Sequence, residues 1–368
     1  MGKNYMDDFA DEFGPEKIIH INEPKSKLQA IVVIDNVALG PSLGGCRMAP
    51  DVSTMEVFRL ARAMTLKNAL SGLPHGGAKS AILADSKTSD KEMLIRQFAQ
   101  SIKQITDYIP GPDMGTDETC MAFIYDEIGR AAGLPKVLGG IPLDELGMTG
   151  YGLAVAADKA SEILHLPLKD ARVIIQGFGN VGKAAAKYLG ERKVKVIATC
   201  DSQGAIFDPA GIDIPALSEF VKGSGTVQES GLGKNISNEK MLEIESDIFI
   251  PAARPDVFTE DNQHLLYTHL VLEGANIPIT HAAAKKMCER GVMIIPDVIA
   301  NAGGVICAAT EYQKMTESQA FERVKETIGR NTQEVLELIQ EEKLFPHDAA
   351  LQMAKERLNK AMKLRAHM

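Results

Sequence analysis

The stretch Arg172–Gly182, RVIIQGFGNVG, decides the fold of the second half of this 368-residue chain. A short apolar run leads into Gly177, Gly179 and Gly182, which have the G-x-G-x-x-G spacing, and a helical pattern follows. The next apolar run ends at Asp201. A strand, a glycine-rich turn, a helix and a later carboxylate form the fingerprint of a dinucleotide-binding unit, in which the glycines admit the pyrophosphate and the carboxylate binds the ribose hydroxyls.

Asp201 also indicates which dinucleotide binds. A carboxylate at this position would repel the 2′-phosphate of NADP, and Ser202-Gln203 supplies no neighbouring cation. The sequence therefore predicts NAD rather than NADP. The residues predicted to bind it in this half of the chain are Thr149, Gly177, Phe178, Gly179, Asn180, Val181, Gly182, Asp201, Ser202, Ala252 and Ala253.

Short apolar strands alternate with helices around this motif. The predicted strands after the first are Val194–Thr199, Ile248–Ile250, His269–Leu272 and Val292–Ile295. Such alternation predicts a parallel, doubly wound sheet. We expect an α/β protein of two domains with a cleft between them. The first domain is expected at 1–145 and the second, a Rossmann domain, at 146–330. C-terminal helices at 331–368 are expected to pack back on the first domain.

The first half contains two lysines in the stretch Met64–Lys79, MTLKNALSGLPHGGAK. Lys67 continues the apolar face of a predicted helix, three residues after Met64, so it either holds an anion or extends to solvent. Lys79 follows Gly76–Gly77, which is either an ordinary turn or a place where the backbone approaches a ligand closely.

Two further segments of the first half are predicted as loops. Gly40–Gly45 reads as a tight loop, and the segment from Tyr108 to Thr116 is rich in Pro and Gly. Asp113 lies in the second segment, where an aspartate is most often a turn former. It gains interest because a site built on lysines needs an acidic partner.

Composition excludes several classes of function. Forty basic residues stand against 49 acidic ones, a net charge of −9 without long runs of either sign, which argues against nucleic acid and membrane surfaces as partners. The first twenty residues do not read as a secretory signal, and no apolar run is long enough to span a bilayer. The five cysteines are scattered along the sequence. This predicts reduced thiols in a cytoplasmic protein, with neither a zinc site nor disulfides.

Seven pieces of the sequence, in order, resemble the glutamate/leucine/phenylalanine/valine dehydrogenase family. They are Gly40-Pro-Ser-Leu-Gly-Gly-Cys-Arg47, Lys67-Asn-Ala, Gly76-Gly-Ala-Lys79, Pro112-Asp-Met-Gly-Thr116, Gly177–Gly182, Glu273-Gly-Ala-Asn276, and Pro296-Asp297 through Asn301-Ala-Gly-Gly-Val305. Any one of them alone would be unspecific. The resemblance implies reversible oxidative deamination of an L-amino acid to a 2-oxo acid and ammonia, by a homo-oligomer.

The resemblance also implies roles for individual residues. Lys67 matches the lysine that holds the substrate α-carboxylate, and Lys79 the catalytic lysine that activates water. Asp113 matches the aspartate that moves a proton to and from the amine. Asn276 and Asn301 correspond to residues beside the nicotinamide and the substrate.

Members of the family differ in which substrate side chain they bind. Glutamate enzymes of the family have a lysine at the position of Leu43 and a serine at Ala308, and both bind the side-chain carboxylate. Burying that carboxylate here without a counter-charge would cost several kcal/mol. We therefore expect a pocket for an apolar side chain, formed by Leu43, Gly44, Met64, Val305 and Ala308, with His75 near its rim.

Two alternatives remain open at this stage. Glu311-Tyr-Gln and Pro296–Ala302 resemble the glutamate enzymes, so the chain is alternatively a glutamate dehydrogenase. A dinucleotide-binding sensor without turnover is a different class, which the presence of Lys67, Lys79 and Asp113 disfavours.

Overall fold

The computed structural model describes residues 9–223 and 225–365. The chain forms two compact units. Unit 1 consists of the described residues up to Pro142, Val305–Ala320 and the residues from Met353 onward. Unit 2 consists of Leu143–Gly304 and Phe321–Gln352.

Unit 1 contains a five-stranded sheet in the order β1-β2-β4-β3-β5. β3 runs parallel to both of its neighbours, whereas β2 is antiparallel to β1 and β4. The strands are β1 Lys17–Glu23, β2 Leu28–Asn36, β3 Ser42–Met48, β4 Gly77–Ile82 and β5 Tyr108–Pro112. The helices that follow in the first part of the chain are α1 Thr54–Leu70, α2 Lys91–Ser101 and α3 Glu118–Ile128.

Two segments predicted as loops are strands in the structure, so those predictions were wrong. β3 occupies most of the predicted Gly40–Gly45 loop, and β5 occupies the segment after Tyr108. The glycines of β3 serve close packing: a Cβ at Gly44 would lie 1.7 Å from the carbonyl oxygen of Ala78 on β4. Composition therefore indicated turns where contact between backbones was the reason for glycine.

α1 covers the sheet face that carries Lys79. Its N-terminus is capped, since Oγ of Ser53 accepts a hydrogen bond from N–H of Glu56 at 3.2 Å. A Cβ at Gly77 would lie 2.1 Å from the backbone nitrogen of Thr65, so the helix lies directly on the start of β4. Gly77, the second glycine of the predicted Gly76–Gly77 turn, is thus the first residue of β4.

Unit 2 contains a seven-stranded sheet in the order β12-β11-β10-β6-β7-β8-β9. Its strands are β6 Arg172–Gln176, β7 Lys195–Cys200, β8 Ala205–Phe207, β9 Lys234–Ile236, β10 Ile248–Pro251, β11 Leu270–Leu272 and β12 Met293–Ile295. Five neighbouring strands, β12 to β7, are parallel, and β8 and β9 add antiparallel pairs at one edge. The doubly wound parallel sheet is thus present, with an antiparallel extension that the sequence did not predict.

Helices α4 to α9 connect the strands of this unit. They are α4 Met148–Leu164, α5 Asn180–Gly190, α6 Ile214–Lys222, α7 Asn238–Leu242, α8 His281–Glu289 and α9 Asp297–Ala300. α4 and α5 approach each other closely, because a Cβ at Gly150 would lie 2.4 Å from the backbone nitrogen of Ala185. The start of α4 is therefore held next to the helix that follows the glycine-rich turn.

The last three helices are α10 Gly303–Tyr312, α11 Glu317–Glu342 and α12 Pro346–Leu364. Their division between the units differs from the predicted boundary at 331. α11 contributes to unit 2, where the ring of Phe321 lies 5.0 Å from that of Tyr151 on α4. The later part of α12 belongs to unit 1, where Arg357 donates to the carbonyl oxygen of Ala69 at 2.6 Å. Across the described ranges, no helix combines the length and apolar character needed to cross a membrane.

Candidate active site

The face of β3 that meets α1 carries three residues of the candidate site. Side chains alternate along a strand, so Leu43, Gly45 and Arg47 point to the same side of the sheet. Lys79 lies on the neighbouring strand β4. Asp113 follows directly after β5, the other neighbour of β3. Parallel pairing of β3 with both strands thus brings residues far apart in sequence to one place.

Lys79 and Asp113 form an ion pair at this place. Nζ of Lys79 lies 3.1 Å from Oδ1 of Asp113, and the lysine is buried. A Cβ at Gly45 would lie 2.8 Å from Cβ of Asp113 and 2.9 Å from Nζ of Lys79. Glycine at 45 therefore leaves the space that the pair occupies, and the two predicted catalytic residues are in contact.

Arg47 is a residue of the site that sequence reasoning missed. Its Nε donates to Oδ2 of Asp113 at 2.8 Å, and its Nη1 donates to Oε1 of Glu56 at 2.5 Å. Strand alternation from Leu43 would have revealed it, but this segment was predicted to be a loop.

The Asp113 carboxyl is ionised at neutral pH. Its burial opposes ionisation, but the positive charges of Lys79 and Arg47 outweigh burial and hold the pKa of Asp113 below its usual value. An ionised carboxylate between two cations can accept a proton from a nearby ammonium group and return it.

Lys67 lies on the last turn of α1 and is buried, with 9 % of its surface exposed. The next residue, Asn68, donates from Nδ2 to the carbonyl oxygens of Gly76 at 2.6 Å and Leu43 at 3.2 Å. This amide ties the end of α1 to both strands of the site. Of the two interpretations of Lys67, its burial excludes simple extension to solvent.

Leu43 lies in an apolar cluster of unit 1. It is 2 % exposed and packs with Leu73, Ile109, Ala132 and Ala309, and the partly buried Val305, Ala308 and Tyr312 pack against this cluster. The cluster brings together Leu43, Val305 and Ala308, three of the residues predicted to form the substrate pocket. Met64 is half-buried on α1 and is not a member of it among the described residues.

His75 lies beside this cluster. Its ring centroid is 5.9 Å from that of Tyr312, and its Nδ1 lies 3.0 Å from the carbonyl oxygen of Pro41.

Glu311 is the charged residue of α10, about one helical turn after Ala308. Its carboxylate accepts hydrogen bonds from N–H of Gly133, Leu134 and Ile141 at 2.9, 3.0 and 2.9 Å. Burial raises the pKa of Glu311 even though these bonds favour its ionised form.

The glycine-rich turn of unit 2 has the geometry that a dinucleotide needs. β7 and β10 lie on opposite sides of β6, so the turn is at the topological switch point of the sheet, where ligands of such folds bind. Gly177 has φ +103°, and a Cβ there would lie 2.8 Å from Cβ of Ala253. A Cβ at Gly182 would lie 1.8 Å from the carbonyl oxygen of Gly177. A Cβ at Gly179, by contrast, would have no atom of the described residues within 4 Å outside its own chain neighbours and helix, so this position is open to a pyrophosphate.

The other predicted cofactor residues surround this turn in part. Ala252 donates from its N–H to the carbonyl oxygen of Gln176 at 2.7 Å. Asp201 follows β7, but its Oδ1 accepts from N–H of Gln203 at 2.8 Å and its Oδ2 from N–H of Val227 at 2.7 Å. The predicted ribose ligand therefore also shapes its own loop. Thr149 lies near the start of α10, since a Cβ at Gly304 would be 3.0 Å from Oγ1 of Thr149.

Asn276 and Asn301 are in contact. Nδ2 of Asn301 donates to Oδ1 of Asn276 at 3.1 Å and to the carbonyl oxygen of Ala275 at 3.1 Å. The same loop begins at the fully buried Glu273, whose carboxylate oxygens both lie 3.1 Å from Nε2 of His347. These contacts hold the Asn276 loop at the carboxyl end of β11.

Alanine substitutions at Gly179, Gly182 and Gly190 should distinguish a glycine that leaves space for the cofactor from one that is required for packing. Gly182→Ala is expected to destabilise the protein by about 2–3 kcal/mol, because the methyl group meets backbone. Gly179→Ala should leave the melting temperature unchanged and weaken NADH binding about tenfold, or roughly 1.4 kcal/mol, because the methyl group enters the pyrophosphate space. Thermal melts and fluorescence titration with NADH measure both effects.

Gly190→Ala is the matched control. It lies at the end of the same helix, and no atom lies within 4 Å of the position of its Cβ. We expect unchanged NADH binding and slightly higher stability, since alanine favours helix more than glycine does. Equal affinities in Gly179→Ala and Gly190→Ala would contradict the assignment of the turn.

The sequence model of "Glutamate/Leucine/Phenylalanine/Valine dehydrogenase" matches residues 139–366, and that of "Glu/Leu/Phe/Val dehydrogenase, dimerisation domain" matches residues 15–130. The chain belongs to this dehydrogenase family. The predicted family and two-domain α/β fold are confirmed, and the chain is an amino-acid dehydrogenase.

Individual members of the Glu/Leu/Phe/Val dehydrogenase family match along most of the chain. A protein of Aeropyrum pernix named glutamate dehydrogenase is 38 % identical, with 90 % of this chain and 85 % of the relative covered. A protein of Staphylococcus aureus named NAD-specific glutamate dehydrogenase is 34 % identical, with 84 % and 79 % covered. The solved hetero-hexameric glutamate dehydrogenase of Thermus thermophilus, in a leucine-bound form, has a TM-score of 0.86 at 27 % identity, with 95 % and 90 % covered.

Proposed function

We propose that this enzyme oxidatively deaminates an apolar L-amino acid: amino acid, NAD⁺ and water yield the 2-oxo acid, ammonium, NADH and a proton, reversibly. The observation that carries the proposal is the burial of Leu43 in an apolar cluster with Ala308 packed against it. These are the two positions at which, by the family resemblance, glutamate enzymes bind the side-chain carboxylate. A carboxylate entering here would lose its hydration without gaining a cation.

The cofactor is NAD, as predicted. The Staphylococcus aureus relative is named as NAD-specific, and the glycine turn of this chain leaves open space at Gly179. When bound, NAD supplies the hydride acceptor for the substrate α-carbon. The chain itself must orient the substrate, activate water and move protons.

We assign these tasks to three side chains of unit 1. Lys67, buried at the end of α1, binds the α-carboxylate through its positive charge. Asp113 accepts a proton from the substrate ammonium, so that the amine carries the lone pair needed for loss of hydride. Lys79, 3.1 Å from Asp113, deprotonates the water that attacks the imine carbon. We propose that Asn276 and Asn301 lie beside the nicotinamide when NAD is bound. The cleft expected between the two domains stays a prediction.

The spacing along β3 matches a substrate side chain. Gly45 lies at the Lys79–Asp113 pair, and Leu43 is two residues away on the same face, about 7 Å along the strand. An amino acid with its α-carbon at the pair therefore reaches Leu43 with a side chain of several carbons. This favours leucine, isoleucine, methionine or phenylalanine over alanine.

Glutamate is the second candidate, and the named relatives favour it over an apolar amino acid. The Aeropyrum pernix and Staphylococcus aureus proteins are both named glutamate dehydrogenases. If glutamate is the substrate, its γ-carboxylate needs a donor, and His75, whose ring lies beside that of Tyr312, is a side chain in this region that could provide one. The two candidates therefore differ in whether His75 or Leu43 determines specificity.

A panel of amino acids separates the candidates. We expect kcat/KM with NAD to be at least tenfold higher for one of leucine, isoleucine, valine, methionine or phenylalanine than for glutamate, because burial of the γ-carboxylate costs more than one methylene group contributes. NADH formation at 340 nm is the measurement. A preference for glutamate would replace our proposal by the second candidate. NADH binding without turnover on any amino acid would support the non-catalytic alternative.

We also propose that the enzyme is a homo-oligomer. The segment 15–130 matches a domain described as a dimerisation domain. Within the described ranges, β1 is an edge strand of the sheet of unit 1 and carries half-buried Ile18, Ile19 and Ile21. Edge strands are the part of a sheet to which a second copy can pair. Sedimentation velocity of the purified chain measures the state directly.

A further inference from the structure

Arg47 is a side chain of the candidate site that has no role in the reaction steps proposed for Lys67, Lys79 and Asp113. It lies on β3 four residues after Leu43, on the same strand face, and its side chain is 17 % exposed. It contacts both Asp113 and Glu56. A guanidinium fixed at both ends by carboxylates cannot rotate freely, and it presents donors in a rigid plane.

We propose that Arg47 is a positioning residue: it holds Oδ2 of Asp113, so that Oδ1, the oxygen facing Lys79, is the one that exchanges a proton with the substrate. The inference rests on the proposed function, since it presumes that Asp113 moves this proton. It goes beyond that function by assigning different tasks to the two oxygens of one carboxylate.

The backbone of Asp113 is fixed independently of Arg47. N–H of Asp113 donates to Oγ1 of Thr116 at 3.0 Å, and this hydroxyl donates to the carbonyl oxygen of Cys46 at 2.8 Å. The loop is thereby tied to β3 next to Arg47. The side chain of Asp113 is then held at both oxygens, at Oδ1 by Nζ of Lys79 at 3.1 Å and at Oδ2 by Nε of Arg47 at 2.8 Å.

Glu56 determines where the guanidinium itself lies. Glu56 belongs to the first turn of α1, and its backbone N–H is bonded to the capping residue Ser53. Arg47 is thus held between the start of a helix and the end of β5. With Oδ2 engaged by Arg47, rotation of the carboxylate would break a charge-assisted hydrogen bond, which is stronger than a neutral one.

The electrostatic consequence has a definite sign. Arg47 and Lys79 both lower the pKa of Asp113, against the effect of burial. Loss of Arg47 removes one of the two cations, and an opposite charge in contact lowers a carboxyl pKa by about one to three units. Arg47→Met should therefore raise the pKa of Asp113.

The experiment compares Arg47→Met, Arg47→Lys and the control Arg59→Met, which changes an exposed arginine of α1. The titration of Asp113 is followed by difference infrared spectroscopy, assigned with Asp113→Asn, and does not depend on turnover. The values of kcat and KM are recorded in parallel. Arg47→Lys keeps the charge but not the planar donor, so we expect a pKa near that of the wild type with a kcat reduced about tenfold or more.

Three results together support the inference. The pKa of Asp113 is raised in Arg47→Met, it equals that of the wild type while kcat is lower in Arg47→Lys, and neither quantity changes in Arg59→Met. Ethylguanidinium should then restore part of the activity of Arg47→Met. An unchanged Asp113 pKa in a folded Arg47→Met, as judged by melting temperature and NADH binding, overturns it. Failure of the proposed function is seen separately, as absence of wild-type turnover on every amino acid while the infrared titration still reports on Arg47.

Discussion

Lys79→Met should reduce kcat by about 10³-fold or more on every amino acid that the enzyme accepts, because a positioned general base typically contributes 10²- to 10⁴-fold. The change removes the amine that lies 3.1 Å from Asp113 and is proposed to deprotonate water. It also leaves the buried Asp113 with Arg47 as its remaining ion-pair partner among the described residues. Steady-state NADH formation and a fluorescence titration with NADH measure turnover and cofactor binding separately.

NADH affinity should stay within about twofold of the wild type in Lys79→Met, since the glycine turn belongs to the other unit. Lys103→Met, which changes an exposed lysine after α2, is the control for loss of one positive charge in unit 1. Retention of more than a tenth of the activity in Lys79→Met would show that another group activates water. A parallel loss in Lys103→Met would show that net charge, and not position, matters.

The second large effect should come from the double substitution Leu43→Lys with Ala308→Ser. It places a cation and a hydroxyl where the apolar cluster now lies. We expect the ratio of kcat/KM for glutamate to that for leucine to rise by roughly 10³-fold or more, because sites built to bind a polar substrate group discriminate by 10⁴ or more. Both terms of the ratio contribute: glutamate gains a counter-charge, whereas an apolar substrate leaves the new ammonium buried and unpaired.

Leu43→Met is the matched control, because it changes the shape of residue 43 while conserving its volume and apolar character. It should alter the ratio by less than about tenfold. The melting temperature and NADH affinity of the double variant establish that it is folded. A folded double variant that keeps the wild-type preference would mean that Leu43 and Ala308 do not contact the substrate side chain.

Much of unit 2 could be predicted from the sequence because its signals are local. An apolar run, three glycines at fixed spacing and a helical pattern lie within one short stretch, and β6 spans the predicted Arg172–Gln176. β10, β11 and β12 begin and end within one residue of their predicted limits. In such a sheet each strand is buried on both faces, so its apolar run is continuous and easily recognised.

Unit 1 was harder to predict because its glycines and prolines carry a different meaning. Gly44 lies inside a strand whose neighbour approaches to a distance that no Cβ allows. Pro110 and Pro112 occur in β5, an edge strand, where a missing N–H need not interrupt the sheet. A one-dimensional pattern does not distinguish a glycine that turns the chain from one that admits a neighbouring backbone.

The sequence by itself determined the α/β architecture and the dinucleotide turn, because these depend on residue types at short spacings, and it determined the family through seven short pieces in a fixed order. It also supplied Lys67, Lys79 and Asp113 as candidate site residues. Only the tertiary structure decided that Arg47 holds Asp113, and that Leu43 and Ala308 pack in one cluster. These contacts join residues 66 or more positions apart through parallel strand pairing and the position of α10. Spacing along a chain does not specify which strands become neighbours, so the partner of each charge was known only from the fold.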